Sequence, residues 1–208
     1  MGRGRAILIW AAFGAAIAVP IAVAATSPLL QWRSPVYIAA GLAGVAAMAL
    51  VFTQPLLARG YLPGLPARRG RRVHRWVGGT LLAALAIHVG GLWLTSPPDM
   101  IDALLFRSPT PFSAWGVIAL WALLAAALLA VAHRRLGLRP RLWRRGHATL
   151  AALAVLGSVV HAMLIEGTMG TVSKAALCAL AVAATVKVAF DLRIWILVTR
   201  RRSERRRA

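Results

Sequence analysis

Residues 71–94 read RRVHRWVGGTLLAALAIHVGGLWL: an arginine cluster runs into an apolar stretch that carries a histidine near each end, His74 and His88. The plan recurs at residues 141–167, RLWRRGHATLAALAVLGSVVHAMLIEG, with His147 and His161. Both pairs have a spacing of 14 residues. On an α-helix, 14 residues advance roughly 21 Å and turn roughly 1400°, about 40° short of four full turns. The two histidines of a pair therefore share one helix face. They fall near opposite edges of a hydrocarbon core roughly 30 Å thick.

Working outward, the rest of the chain has the same character. Of its 208 residues 60% are hydrophobic and only 5 are acidic, too little polar surface for a soluble domain of this size. Six apolar runs approach or exceed the roughly 20 residues that cross a bilayer: Ala6–Ala25, Tyr37–Leu57, Trp76–Leu94, Phe112–Ala132, Ala148–Leu164 and Ala175–Val198. Short connections leave no room for a separate soluble unit. The expected fold is all-α, one integral membrane six-helix bundle over residues 1–208.

The net charge of +20 raises nucleic acid as a partner, but its distribution excludes that reading. The basic residues gather on alternate connections: Arg3 and Arg5; Arg59, Arg68, Arg69, Arg71, Arg72 and Arg75; Arg134, Arg135, Arg139, Arg141, Arg144 and Arg145; and the tail Arg200, Arg201, Arg202, Arg205, Arg206 and Arg207. The intervening connections carry only Arg33, Arg107 and Lys174. Such alternation is the positive-inside pattern and predicts cytoplasmic N- and C-termini. Membrane lipid, with its anionic headgroups, is the partner it implies.

The basic start, first apolar run and Ala22-Val23-Ala24 together resemble a secretory signal. The run is nonetheless longer than an h-region of about 7–15 residues, and we read it as a retained helix. The one cysteine, Cys178, has no partner for an internal disulfide, and the chain contains no CxxCH, so covalent haem attachment is excluded. Cys178 reads as a packing residue.

Ionisable residues inside a span are rare and functional by default, although a lone histidine also serves as a hydrogen-bonding residue between helices. Here two pairs match in spacing, and both lie on odd-numbered spans, which run in the same direction. His74 is then level with His147 near the cytoplasmic side, and His88 with His161 near the outer side. Neutral imidazole is an axial ligand of haem iron. The pattern predicts two b haems, each between the third and fifth spans, with His74, His88, His147 and His161 as metal ligands. Arg71, Arg72, Arg75, Arg144 and Arg145 are candidates to pair with inner-haem propionates; anchoring at the cytoplasmic surface explains them equally well. His133, beside Arg134 and Arg135, reads as an interfacial residue.

Other constellations are weak. Asp99 and Asp102, in the outer loop Ser96–Pro111, are too isolated for paired-carboxylate chemistry, and Glu166 reads as a solvated surface residue. Lys187 and Asp191 form an i,i+4 pair expected to be buried in the bundle. Gly78-Gly79 and Gly90-Gly91 suit close approach of a helix or a flat cofactor, and the sequence does not separate the two.

The third and fifth spans, with the run Trp143-Arg144-Arg145-Gly146-His147, resemble the haem-bearing helices of the ferric-reductase-like transmembrane domain. That superfamily includes ferric reductases, NADPH oxidases and the haem subunit of a methionine-sulfoxide reductase. The resemblance implies that His74 and His147 bind an inner haem, His88 and His161 an outer one, and that electrons flow from cytoplasm to exterior. It also implies the inner membrane of a bacterium as the location. Larger members continue into flavin- and nicotinamide-binding domains. These residues contain no GxGxxG after a strand and no Walker-type loop, so no FAD or NAD(P) site is expected in this chain.

The expected function is transmembrane electron transfer by a dihaem b-type cytochrome, an oxidoreductase component without catalytic residues of its own. A cytoplasmic flavin reductase or a quinol would be the donor, and an outer-face molecule the acceptor. Two alternatives remain: a haem-bearing anchor or sensor subunit, and a haem-free structural or transporter-like membrane protein.

Overall fold

The computed structural model describes residues 2–205, with side chains as far as Asp191. The described residues form α1 (Arg3–Ala25), α2 (Pro35–Arg59), α3 (Ala67–Thr95), a short α4 (Pro97–Leu104), α5 (Pro111–Ala132), α6 (Pro140–Leu164) and α7 (Thr171–Arg205), with one 3-10 turn at Pro28–Leu30. No strand occurs among them. Helices α1, α2, α3, α5 and α6, and residues Thr171–Asp191 of α7, are long and apolar enough to cross a membrane. The chain is an all-helical integral membrane protein.

Local sequence explains the boundaries. Proline begins α2, α4, α5 and α6, where its missing N–H costs no helical bond and its fixed φ fits the first turn. At α2 the Tyr37 N–H donates to Ser34 Oγ over 3.2 Å, a side-chain cap. The same helix ends at Gly60, φ 70°, a left-handed stop that glycine adopts without strain. A Cβ there would stand 2.6 Å from Ala67 N.

Two helices begin well before their apolar runs. α3 starts at Ala67 rather than Trp76, and α6 at Pro140 rather than Ala148. Arginine is a good helix former, so the basic clusters extend each helix beyond the hydrocarbon-length stretch. His74 and His147 consequently lie about two turns inside their helices rather than at the start. The expected loop Ser96–Pro111 also contains a helix, α4, with exposed Ile101 and, just beyond it, exposed Leu105 and Phe106. This suits a segment lying in the headgroup plane.

Packing is tightest within two hairpins, α2 on α3 and α5 on α6. Helix α7 packs on both α2 and α6, and α1 lies against α2 and α7. A buried cluster joins Met48, Val51 and Phe52 of α2, Leu81 of α3, Val155 of α6, and Leu177, Cys178 and Ala181 of α7. Cys178 is thus a packing residue. The outward faces stay apolar: Leu8, Trp76, Leu128 and Val131 are all largely exposed, as a lipid-facing surface requires. The tail residues Arg200, Arg201, Arg202, Arg205, Arg206 and Arg207 lie outside the residues whose side chains are described.

Candidate functional site

The two hairpins position the four histidines by one repeated device. His88 Nδ1 lies 2.8 Å from the Ala40 carbonyl oxygen on α2, and His161 Nδ1 lies 2.8 Å from that of Phe112 on α5. His74 Nδ1 meets the Gln54 carbonyl at 3.2 Å, and His147 Nδ1 the Ala126 carbonyl at 3.0 Å. A carbonyl oxygen carries no proton, so each Nδ1 must donate. The neutral tautomer that results leaves Nε2 with a free lone pair.

The device recurs at a nearly constant offset. Ala40 and Phe112 are 72 residues apart, as are Gln54 and Ala126; His74 and His147 are 73 apart, as are His88 and His161. The hairpin α2–α3 and the hairpin α5–α6 therefore carry the same construction twice, running in the same chain direction.

The rings of His74 and His147 face each other with centroids 6.3 Å apart in a T-shaped arrangement. This contact brings the arginine-bearing first turns of α3 and α6, with the arginine-rich α5–α6 connection, to one end of the bundle, here termed the basic end. His88 and His161, each about four turns further along its helix from that contact, form the distal pair; the Phe112 ring stands edge-on to His161, centroids 5.9 Å apart. Midway along the two histidine helices, Leu81 and Ala154 are 3% and 1% exposed. Leu81 shares its buried cluster with Val155, so an apolar layer lies between the two pairs.

The donor chemistry suits a flat, four-nitrogen macrocycle. Among the described residues no group of three or more His, Cys, Asp and Glu side chains comes together to hold a bare metal ion. Each level instead carries two histidines whose Nδ1 donates to a carbonyl, a donor set that could hold an iron already carried in a flat macrocycle. Among the described residues the amide nitrogen of Gln54 is buried without a hydrogen-bond partner, 3.7 Å from where a Cβ on Gly78 would stand, and is a donor available to a bound group.

The arginines behave differently from the histidines. Arg71, Arg72, Arg75, Arg144 and Arg145 are exposed on the basic end, and Arg144 Nε donates to the Pro140 carbonyl of its own helix over 2.9 Å. An open concavity there is lined by Arg139, Arg141, Arg144 and Arg145. His133 stacks on Trp143, centroids 4.4 Å apart, and Trp143 in turn lies 6.1 Å from the His147 ring.

Three sequence expectations need adjustment. Lys187 and Asp191 do pair, at 3.3 Å, but Lys187 is 59% exposed, so the ion pair is not buried in the bundle. It lies at the end of its span, where Asp191 also accepts from the Tyr61 hydroxyl; a pair so exposed contributes little stability. Burial and the Asp191 carboxylate push the Tyr61 phenol above its ordinary range, so it keeps its proton and donates. Lys174, assigned to an outer connection, is instead buried in the first turn of α7 and donates to the Ile165 carbonyl over 2.7 Å, satisfying the open end of α6. Of the paired glycines, Gly91 is a helix-packing residue: its Cβ would meet that of Ala40 at 2.7 Å. Glu166 is exposed, as expected, and Asp99 accepts from Ser96 Oγ over 2.5 Å at the start of α4.

The sequence had no means of revealing the carbonyl partners. Backbone oxygens carry no sequence signature, and only the near-constant offset between the hairpins hinted at them.

Fold and site together define a helical membrane protein with two stacked pairs of inward-held histidines. A model of the ferric reductase like transmembrane component matches residues 40–158, more than half of the chain, and the chain belongs to that family. Membership places it among transmembrane electron-transfer oxidoreductases. The match takes in His74, His88 and His147 and ends three residues before His161. Comparison with curated proteins and with solved structures gives no match.

Proposed function

We propose that this chain is one transmembrane domain, residues 1–208, acting as a dihaem b-type cytochrome. It would pass electrons singly between a donor at the basic end and an acceptor at the distal end. The observation that carries this reading is the repeated histidine–carbonyl bond, which fixes four imidazoles in the Nε2-free form at two levels.

His74 and His147 would hold one haem, His88 and His161 the other. Bound haem supplies a one-electron ferric/ferrous couple. The residues of the chain set the conditions for it. The carbonyls of Ala40, Gln54, Phe112 and Ala126 fix ring orientation and make each imidazole a stronger donor. Leu81, Ala154 and Val155 exclude water between the levels. Arg71, Arg72, Arg75, Arg144 and Arg145 supply the positive charge that propionates require.

The charge alternation supports cytoplasmic termini, and hence an inner pair at His74/His147 in a bacterial inner membrane. The donor would be a cytoplasmic flavin reductase docking on the arginine-rich surface, since basic patches steer acidic partners, or a quinol from the bilayer. Haem-loaded protein should stay oxidised with NADPH alone and become reduced when a flavin reductase or a quinol is added. Rapid reduction by NADPH alone would contradict the need for a partner. A haem-free membrane protein is the second reading, favoured by one observation: the four bonds by themselves lock each hairpin.

A further inference from the structure

The histidine–carbonyl device has a requirement on the opposite helix. In an α-helix the carbonyl of residue i also accepts the N–H of residue i+4, so a ring seated against that oxygen lies over the Cα of residue i+4. For the distal pair those residues are Gly44, four after Ala40, and Gly116, four after Phe112. A Cβ on Gly44 would stand 2.8 Å from His88 Nδ1 and 2.9 Å from its Cε1; one on Gly116 would stand 2.7 Å and 2.9 Å from the same atoms of His161. These separations are inside van der Waals contact. The crowded atom is also the one making the hydrogen bond, so the ring has no small rotation that relieves the clash and keeps the bond.

The basic-end pair provides the contrast. There the i+4 residues are Ala58, four after Gln54, and Ala130, four after Ala126. The bonds are correspondingly longer, 3.2 and 3.0 Å against 2.8 and 2.8 Å. Glycine is costly in a helix interior relative to alanine, yet it occupies both equivalent positions.

We propose that Gly44 and Gly116 are positioning residues: by lacking a side chain they let His88 and His161 seat against the backbone of α2 and α5, and so fix the Nε2 atoms of the distal pair. The functional consequence rests on the haem reading above; the positioning itself does not.

The test uses full-length protein purified in detergent, as wild type and as G44A, G116A and the double variant. Gly41→Ala is the control, because a Cβ at Gly41 meets nothing within 4 Å. Nitrogen-15 NMR of histidine-labelled protein reads the Nδ1–H bond with or without haem. G44A should lose the hydrogen-bonded signal of His88, G116A that of His161, and Gly41→Ala neither. In haem-loaded protein each variant should lose or shift the low-spin signal of one haem, with the double variant falling from two haems per chain to one. Should G44A fail to accumulate, the G44A/H88A double variant removes the clashing ring and should restore accumulation. Retention of both hydrogen-bonded signals in the double variant G44A/G116A would overturn the proposal, as would failure of H88A to rescue a G44A folding defect. Wild-type protein that shows the NMR signals but takes up no haem would overturn the haem reading while leaving the positioning role in place.

Discussion

The distal and basic-end histidine pairs share an architecture and differ in how tightly it closes. At the distal end both rings sit over glycine and bond their carbonyls at 2.8 Å. At the basic end both sit against helices that carry alanine at the same place, with bonds of 3.2 and 3.0 Å, a partnerless Gln54 amide nearby, and a surface of exposed arginines beyond. The difference teaches that one missing methyl group per ring goes with closer seating of the imidazole on the opposite helix. On the proposed haem reading, a tighter Nδ1–H···O bond would make Nε2 more electron-rich and so would favour the ferric state at the distal pair.

The strongest way to break the comparison is to remove the histidines proposed as ligands. H88A or H161A should abolish the distal haem and halve haem per chain in a pigment assay, leaving the basic-end spectrum. H74A or H147A should abolish the other. Wild-type haem content in H74A would show that the basic-end pair is not a ligand pair, whatever its ring spacing.

Which pair faces the cytoplasm is an all-or-none question. A reporter fused after Ala208 should read as cytoplasmic, and one inserted between Ser96 and Pro111 as exported. The reverse result would exchange the labels inner and outer while keeping the two sites.

The legible part of this molecule is the part written in side chains with a period. Six spans follow from apolar length, and the stacking of His74 over His88, and of His147 over His161, follows from helical turn alone. Charge alternation gave the common basic end, which the 6.3 Å approach of His74 to His147 requires. The less legible part depends on backbone and on termini. The arginine clusters did not announce that α3 and α6 begin at Ala67 and Pro140, because a charged stretch signals a membrane boundary and not a helix boundary. Gly44 and Gly116 read as unremarkable small residues in apolar helices until the rings above them are located. Lys187 and Asp191 fit the i,i+4 rule, but spacing does not say which way a helix face turns.

A subtler effect should come from salt. If a flavoprotein donor docks on the arginines of the basic end, raising ionic strength from low to about 0.15 M, where the screening length falls to about 8 Å, should slow its reduction of the haems several-fold. Reduction by a quinol should barely change. Equal salt dependence for both donors would remove the docking surface from the account.

The smallest expected change sharpens the comparison from the other direction. Ala58→Gly and Ala130→Gly give the basic-end pair the vacancy that the distal pair already has. Closer seating should lower the midpoint potential of that haem slightly and leave the distal haem unmoved, as read by redox titration. An unchanged potential would indicate that the alanines do not hold the rings away. The cost in stability should stay near 0.5–1 kcal/mol for each glycine.

The account stands most directly on the haem content of the wild-type protein. Full-length chain produced with ample haem and purified in detergent should carry two non-covalent b haems, low-spin from paired imidazoles, in its reduced-minus-oxidised spectrum and pigment assay. Haem content near zero under those conditions would contradict it.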